Sequence, residues 1–274
     1  MKKVVSVVLI LFTLLFTACA PVAVNNPVVR LSTTTSVNDS GLLPELEKMF
    51  EENSGYQLEI VANGTGAALK LGETGDADVL LVHAKAAEDE FVSAGFGVKR
   101  IPFMHNYFVI AGPETDPAGI KGAKSAAGAF RLIADSKTTF VSRGDDSGTH
   151  KAEVKIWGKS GVKPEGEWYN SAGKGMGPCL TMAAEMEAYV LTDQSTYLAT
   201  REQTKLAVLL GQSDDLKNTY SLIGVNPEKH DRINADGAKA FIDFMLSDEA
   251  KTFIGKYGTE KYGEPLFIYD GVSD

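Results

Sequence analysis

Only two cysteines occur among the 274 residues, and the chain has no run of basic residues and no internal repeat. Cys19 lies at the end of an apolar N-terminal segment, which leaves Cys179 without a partner, so we expect no disulfide. The formal net charge is −9, from 27 basic and 36 acidic side chains. An acidic chain without a basic cluster argues against a nucleic-acid partner. The 4 histidines are scattered and lack the spacing of metal ligands, so we expect no metal site.

The N-terminus predicts export. Two lysines precede an apolar run over residues 4–16 that is too short to span a membrane comfortably, which is typical of a secretory signal peptide over residues 1–18. A small residue directly before Cys19 resembles a bacterial lipoprotein site. We expect cleavage before Cys19 and attachment of lipid to its sulfur, with residues 19–27 as a tether. The mature protein is then anchored to the cell membrane on its extracytoplasmic side.

Short apolar runs that favour strands alternate with segments whose apolar residues recur at helical spacing. The predicted strands cover residues 28–31, 56–61, 78–82, 101–111, 139–141, 189–191, 206–210 and 220–225. This alternation predicts an α/β fold with mostly parallel sheets that are flanked by helices. The run at 78–82 is apolar almost throughout, as expected for a strand covered on both faces. In the helix predicted at 84–94, three acidic residues are expected to face outward, namely Glu88, Asp89 and Glu90.

The length of the chain favours two lobes over one. We place the first crossing between the lobes after the 101–111 strand, where Gly112 and Pro113 end the apolar run. The later strands at 206–210 and 220–225 are expected to return to the first lobe. Lobe I is therefore predicted to comprise residues 28–111 and 206–274, and lobe II is predicted to comprise residues 112–205.

Four loops share one pattern, in which a strand is followed by small or hydroxyl residues and then by the start of a helix. They lie at residues 33–36, 63–66, 143–149 and 173–177. In open α/β sheets such loops gather at the carboxyl edge of the strands. Each loop presents backbone N–H groups and the positive end of a helix dipole, and Arg143 adds a full positive charge. The pattern predicts that a small anion is held in a cleft between two lobes.

The third of these loops also contains the residue types of a hydrolytic triad, namely Asp145, Ser147 and His150. Three residues within six positions of one loop cannot easily align as orienter, nucleophile and base, and no G-x-S-x-G motif is present. The glycine-rich segment at 173–177 does not follow a clear predicted strand, so it makes a poor dinucleotide fingerprint. We therefore expect neither catalysis nor a bound cofactor.

Several motifs in a fixed order resemble the tungstate-binding lipoproteins of ABC transporters. They are Thr33-Thr34-Thr35-Ser36, residues 142–150, Gly175-Met176-Gly177 with 182–186, residues 191–193 with 196–198, and residues 78–84. The resemblance extends from about Leu31 to near the C-terminus. It implies a two-lobed type II periplasmic-binding-protein fold with the ligand cleft between the lobes. It also implies a receptor that passes its ligand to an ABC permease driven by an ATPase.

The resemblance also implies which residues hold the anion, and it carries over Thr34, Thr35, Ser36 and Arg143. The helix starts described above add further candidate ligands from local physical chemistry, namely Gly64, Thr65, Ser147, Gly148, Thr149, Gly175, Met176 and Gly177. We expect the receptor to act as a monomer.

Phosphate is an alternative ligand, because Arg143 with residues 146–149 also resembles the loop of phosphate-binding proteins. Phosphate carries a proton at neutral pH and needs an acceptor, for which Asp145 or Asp146 is a candidate, whereas tungstate and molybdate are fully deprotonated. Either aspartate is more simply a helix cap or a partner of Arg143. The hydroxyl run and the Gly-Met-Gly segment favour tungstate, and the choice between tungstate and molybdate stays open. An anion-sensing receptor without a transport partner is a further alternative.

Overall fold

The computed structural model describes residues 27–271, so the predicted signal peptide and the predicted lipidation site Cys19 lie outside the described residues. The strands are β1 (Val28–Thr34), β2 (Gln57–Asn63), β3 (Val79–Val82), β4 (Gly97–Gly112), β5 (Phe140–Ser142), β6 (Tyr169–Ser171), β7 (Tyr189–Asp193), β8 (Ala207–Gly211), β9 (Lys217–Val225) and β10 (Ile268–Tyr269). The α-helices are α1 (Thr35–Asp39), α2 (Leu42–Ser54), α3 (Thr65–Thr74), α4 (Lys85–Ser93), α5 (Ala126–Ser136), α6 (Gly148–Ser160), α7 (Met176–Glu185), α8 (Gln194–Thr204), α9 (Ala235–Met245), α10 (Asp248–Ile254) and α11 (Thr259–Tyr262). A 3₁₀ helix covers Asp214–Leu216. Among these helices, none has the length and apolar character needed to cross a membrane.

The first sheet has the strand order β2-β1-β3-β9-β4, with β10 paired to β4. Strand β1 pairs in parallel with β2 and with β3, whereas β9 runs antiparallel to both β3 and β4. The carboxyl ends of β1, β2 and β3 therefore lie at one edge of the sheet. The loops that follow these three strands are neighbours at that edge, as the sequence predicts.

Strand β4 is 16 residues long and belongs to both sheets. Its first part, as far as Tyr107, pairs with β9. Its last part, residues 108–112, pairs with β7 on one side and with β8 on the other. Within the second sheet, β5 pairs in parallel with both β7 and β6. One continuous strand thus links the two sheets, and the chain returns to the first sheet between β8 and β9.

The pairing corrects the predicted lobe boundaries in two places. The prediction assigns residues 108–111 and 206–210 to lobe I. In the structure, residues 108–111 pair with strands of the second sheet. Most of the 206–210 run forms β8, which also belongs to the second sheet. The apolar run at 101–111 continues through β4 without a turn, so the sheets change inside the strand rather than at Gly112. The apolar run of β8 contains no local signal of its partner, because pairing depends on tertiary contacts.

Each sheet is covered by helices on both faces, as the alternation of side chains along the strands shows. In β3, Val79 and Leu81 belong to the core formed with α2 and α9, whereas Leu80 and Val82 pack with α3 and α4. Strand β7 alternates in the same way between a core with α5 and α6 and a core with α7. The prediction that the 78–82 strand is covered on both faces is therefore confirmed, and β7 of the second sheet is covered in the same way.

Two local features differ from the sequence predictions. Glu88 is predicted to face solvent, but it is fully buried on α4 and accepts a hydrogen bond from Nε of Arg100 at 2.6 Å. The backbone N–H of Ala84 also donates to Glu88, so the buried charge is paired and hydrogen-bonded. Strand β6 is not predicted, because three residues with polar members form too short a pattern.

Candidate functional site

The hydroxyl residues at the end of β1 have different partners. Ser32 and Thr33 donate to backbone carbonyls of α3 and β3 at 3.3 and 2.8 Å, so they fasten β1 to its neighbours. Thr34 and Ser36 are also buried, but their hydroxyl oxygens lie 3.2 Å from each other. Thr35 is the first residue of α1 and is partly buried. The predicted ligands Thr34, Thr35 and Ser36 therefore occupy the turn between β1 and α1, at the carboxyl edge of the first sheet.

Ser36 begins a chain of hydrogen bonds that leads to β4 and β9. Its Oγ lies 3.4 Å from Nε2 of His83 and 3.2 Å from the hydroxyl of Tyr220. Nδ1 of His83 lies 2.8 Å from Oδ1 of Asn218, and Nδ2 of Asn218 donates to Oδ1 of Asn106 at 2.8 Å. Because Oδ1 of Asn218 can only accept, His83 carries its proton on Nδ1, and its Nε2 accepts from Ser36. Burial lowers the pKa of His83 to about 4, so the ring is neutral at physiological pH.

The N-termini of α3 and α6 face each other although the two helices pack on different sheets. A Cβ atom placed on Gly64 would lie 3.7 Å from Cα of Ser147. A Cβ on Gly148 would lie 2.4 Å from the ring of His83 and 3.0 Å from Oγ1 of Thr65, which leaves no room for a side chain. The two glycines therefore let the first turns of both helices approach, and this brings their positive ends together.

The hydroxyl of Thr65 lies at this contact without a partner. Thr65 is the first residue of α3 and is fully buried, and its Oγ1 makes no hydrogen bond within residues 27–271. A buried polar group without a partner costs about 1–3 kcal/mol. Ser147 differs, because its Oγ accepts from the N–H of His150 and caps α6. Thr65 is thus a free donor at the point where the two helix starts meet.

Arg143 follows β5, is only 7% exposed and has its partner on the same loop. Its Nη2 and Nε lie 2.5 and 3.1 Å from Oδ2 of Asp145, and Oδ1 of that carboxylate accepts from the N–H of Ser147 at 3.2 Å. Burial raises the pKa of Asp145, but hydrogen bonds from Ser147 and Arg143 outweigh this effect and hold the pKa below its usual value. Asp146 is exposed and binds Lys151 instead, at 2.6 Å. Asp145 is therefore an ionised acceptor that is already engaged.

The Gly-Met-Gly segment at the start of α7 lies beside the arginine loop. The N–H of Lys174 donates to the backbone carbonyl of Arg143 at 3.2 Å. Met176 is buried, but a Cβ on Gly175 or on Gly177 would meet no atom within 4 Å. The structure therefore brings this segment to Arg143, but within the described part of the chain no hydrogen bond joins the segment to the hydroxyl loop of β1.

A cavity of about 890 Å³ opens beside these residues, between α4, α6, β4 and β9. Gly148 is the one predicted ligand that lines it, together with His83 and Asn218 of the hydrogen-bond chain. Of the predicted ligands, Gly64, Thr65, Ser147 and Gly148 thus meet at the contact between the helix starts, and the cavity borders this contact. Within residues 27–271, no group of three or more His, Cys, Asp or Glu side chains is placed to hold a metal ion.

The sequence matches a known protein family. A family model described as a PBP superfamily domain matches residues 21–249, which is more than half of the chain. The chain belongs to the PBP superfamily. This membership agrees with the two-lobed α/β fold that the sequence predicts.

Two relatives with solved structures and one further relative extend the comparison. The tungstate-binding protein TupA of Peptoclostridium acidaminophilum is 49% identical over 241 residues, which cover 87% of this chain and 84% of that protein. The crystal structure of the tungstate ABC transporter from Geobacter sulfurreducens matches with a TM-score of 0.77 at 48% identity, covering 84% of this chain and 98% of that chain. The tungstate-binding protein TupA of Desulfovibrio alaskensis matches with a TM-score of 0.78 at 40% identity, covering 89% and 99%. These structures confirm the predicted fold.

In this PBP superfamily chain, sequence reasoning missed several residues of the candidate site. His83 and Asp193 each stand where an apolar strand gives way to a helix, which is the pattern that identified the four loops. Both residues also lie in stretches that carry the family resemblance, namely residues 78–84 and 191–193. Asp193 is 1% exposed and accepts from the N–H of Thr196 at 2.9 Å, so it caps α8. Asn218 and Tyr220 lie inside β9 and have no comparable local signal.

Proposed function

We propose that this protein captures tungstate outside the cytoplasmic membrane and passes it to the permease of an ABC importer. Two relatives that are 49% and 40% identical to this chain are named as tungstate-binding proteins. In this proposal the protein has no catalytic activity, and the ATPase of the transporter supplies the energy for transport. Membership in the PBP superfamily supports the role of a solute receptor.

The balance of donors and acceptors at the starts of α3, α6 and α8 is the observation that carries the proposal. Thr65 offers a buried hydroxyl without a partner, whereas the carboxylates of Asp145 and Asp193 already accept several hydrogen bonds. A fully deprotonated dianion offers only acceptors, so it pairs with free donors and needs no acceptor from the protein. Hydrogen phosphate carries a proton that would compete for carboxylates that are already occupied.

We place the oxyanion between the two lobes. Thr34, Thr35 and Ser36 approach it from the first sheet, and Arg143 approaches it from the second. The starts of α3 and α6 add N–H groups through Gly64, Thr65, Ser147, Gly148 and Thr149, and the start of α7 is a more distant contributor through Gly175, Met176 and Gly177. The lobes close on the ligand because the closed form makes more contacts with it, so the ligand binds that form more tightly.

Isothermal titration calorimetry of the purified protein with tungstate, molybdate, sulfate and phosphate tests the proposal. We expect the two fully deprotonated metal oxyanions to bind more tightly than phosphate. Tight binding of phosphate without binding of tungstate would overturn the proposal and favour the phosphate receptor.

The role of Arg143 is tested in the same assay. Arg143→Ala should weaken tungstate binding by about 2–5 kcal/mol, because the charged ligand then loses its cationic partner at a buried site. The matched control is Arg201→Ala, which removes the same charge from a partly exposed position on α8 and should leave the affinity unchanged. Unchanged affinity of the Arg143 variant would remove this residue from the site.

The proposed anchor at Cys19 keeps the receptor close to its permease. Lipid on the sulfur of Cys19 would hold the mature protein at the membrane, with residues 19–27 as the tether. Cell fractionation of a Cys19→Ala variant should move the protein from the membrane to the soluble fraction. If the variant stays in the membrane fraction, the lipid assignment is wrong.

A further inference from the structure

Six basic side chains line the cavity of about 890 Å³ beside the anion site, although the protein has a net charge of −9. Three of them lie on α6 with a spacing of four residues, which places them on one face of the helix. The other three come from α4, which packs on the first sheet, and from the strands β4 and β9, in the part where these two strands form the first sheet. The six residues are Lys85, Arg100, Lys151, Lys155, Lys159 and Lys217. Positive charge therefore faces the cavity from the elements of both sheets.

Four of these cations have a carboxylate partner, and two do not. The ion pairs are Lys85 with Asp89, Arg100 with Glu88, Lys151 with Asp146, and Lys217 with Asp270. Lys155 and Lys159 are exposed and make no ion pair with any residue between 27 and 271. The positive potential of the cavity therefore depends mainly on two neighbouring lysines of α6.

The acidic residues that line the cavity do not cancel this potential. Asp215 accepts hydrogen bonds from the N–H groups of Ala126 and Ala127 at 3.1 and 3.3 Å, so it neutralises the start of α5. Asp270 lies 2.7 Å from Nδ1 of His105 and 3.5 Å from Nζ of Lys217. Both carboxylates are thus engaged with positive groups, and Lys155 and Lys159 stay uncompensated.

A dianion that approaches an acidic protein is repelled at long range by the net charge. A cleft lined by charges of the opposite sign focuses the field and raises association rates by about 10- to 1000-fold. The effect decays over about 8 Å at physiological ionic strength, so only cations near the path of the ligand contribute. Gly148 and His83 line this cavity, and Gly148 also packs against Thr65 at the contact between the helix starts, so the cavity and the proposed anion site share this wall.

We propose that the cavity is an electrostatic access path to the anion site, and that Lys155 and Lys159 accelerate the capture of tungstate. The inference rests on the proposed function and deepens it. These lysines act on the approaching ligand rather than on the bound one. They should therefore raise the association rate constant and leave the dissociation rate constant unchanged.

The test compares two double variants of the whole protein by stopped-flow fluorescence with tungstate as the probe. Lys155→Gln/Lys159→Gln removes the two unpaired charges of the cavity. Lys251→Gln/Lys256→Gln removes two exposed lysines that lie outside the cavity lining and make no ion pair among the described residues. At an ionic strength of about 20 mM, the first variant should associate about three- to tenfold more slowly than wild type. The control should stay close to wild type, and the difference should largely disappear at about 500 mM.

The outcomes separate this inference from the proposed function. If the wild-type protein binds no tungstate in calorimetry, both fail. If it binds tungstate and the cavity variant associates at the wild-type rate, the access path alone is refuted. A change confined to the dissociation rate would also refute it, because the lysines would then contact the bound ligand. Thermal unfolding of both variants checks that the substitutions leave the fold intact.

Discussion

The guanidinium of Arg143 lies against the carboxylate of Asp145, two residues later in the same loop, with Nη2 at 2.5 Å from Oδ2. In the proposed site, a bound anion would therefore share Arg143 with a carboxylate that is already present. Asp145 orients the arginine, and because it is ionised it also repels a nearby dianion. The affinity for the ligand thus depends on the balance between this orientation and this repulsion.

We expect Asp145→Asn to strengthen tungstate binding by about tenfold, or about 1.4 kcal/mol. The amide keeps one oxygen, which can accept from Arg143 in place of Oδ2, while the acceptor for the N–H of Ser147 and the negative charge are both removed. Asp146→Asn is the matched control, because it removes the same charge from a side chain that is 77% exposed. Calorimetry measures both affinities. A weaker complex with the Asp145 variant would mean that orientation of the arginine outweighs the repulsion.

Thr65→Val should weaken ligand binding without lowering the stability of the ligand-free protein. Valine keeps the shape of the side chain and removes the unpaired hydroxyl, so the ligand-free variant should be as stable as wild type or about 1 kcal/mol more stable. If the hydroxyl donates to the anion, the affinity for tungstate should fall by about 1–3 kcal/mol. Urea denaturation of the ligand-free protein and calorimetry with tungstate measure the two quantities.

The control for this variant is Thr33→Val, two residues before Thr35 on the same hydroxyl run. The hydroxyl of Thr33 donates to the backbone carbonyl of Leu81 at 2.8 Å. Its loss should cost about 1 kcal/mol of stability and affect tungstate binding less than the loss of the Thr65 hydroxyl. Wild-type affinity in Thr65→Val would show that this hydroxyl does not contact the ligand.

His83 should be neutral and protonated on Nδ1 at physiological pH. Nitrogen-15 NMR of the ring should show this tautomer and a titration midpoint at about 4. Because the pKa of the folded state lies below the usual value of 6.5, His83 contributes stability above that value. This contribution is lost as the pH falls from about 6.5 to about 4. A ring protonated on Nε2 would contradict the prediction, since it would donate to Ser36 and reverse the direction of that hydroxyl.

The candidate site residues that the sequence predicts are those marked by a recognisable pattern in the neighbouring sequence. Thr34, Thr65 and Arg143 lie next to a strand end and a helix start, and apolar runs with small or hydroxyl residues after them mark such places. The parallel pairing of β1 with β2 brings the loops of Thr34 and Thr65 to one edge of the first sheet, whereas Arg143 follows a strand of the second sheet. The local pattern predicted four loops at helix starts, whereas the meeting of the α3 and α6 starts is a contact between elements of the two sheets.

Contacts between distant segments account for what could not be predicted. The chain from Ser36 through His83 to Asn218 joins α1, the loop after β3, and β9, and no spacing within one segment indicates it. Strand β8 is apolar and could join either sheet, and Glu88 is buried because Arg100 on another element pairs with it. In each case the interaction partner lies far away in the sequence and becomes a neighbour only in the folded protein. The sequence around the residue therefore does not identify that partner.

Glu153 is a buried carboxylate on α6, one turn after the start of the helix that faces Thr65. Its Oε1 accepts from Nε1 of Trp157 at 3.1 Å and from the hydroxyl of Tyr169 at 2.8 Å. Burial raises its pKa from 4.5 to about 7, and hydrogen bonds from neighbouring side chains offset only part of this effect. Glu153 makes no ion pair with a cation among residues 27–271. Its ionised form is therefore costly to the folded state.

Glu153→Gln should become more stable than wild type as the pH rises. The folded wild-type protein keeps the proton up to about pH 7, while the unfolded chain releases it at about pH 4.5, so wild type loses stability between these values. Glutamine does not titrate and keeps an oxygen that accepts from Trp157 and Tyr169. The variant should gain about 2–3 kcal/mol relative to wild type at about pH 8 and little at about pH 5, as measured by urea denaturation. The exposed Glu185→Gln on α7 should show no such difference. Parallel pH profiles for wild type and Glu153→Gln would contradict a raised pKa.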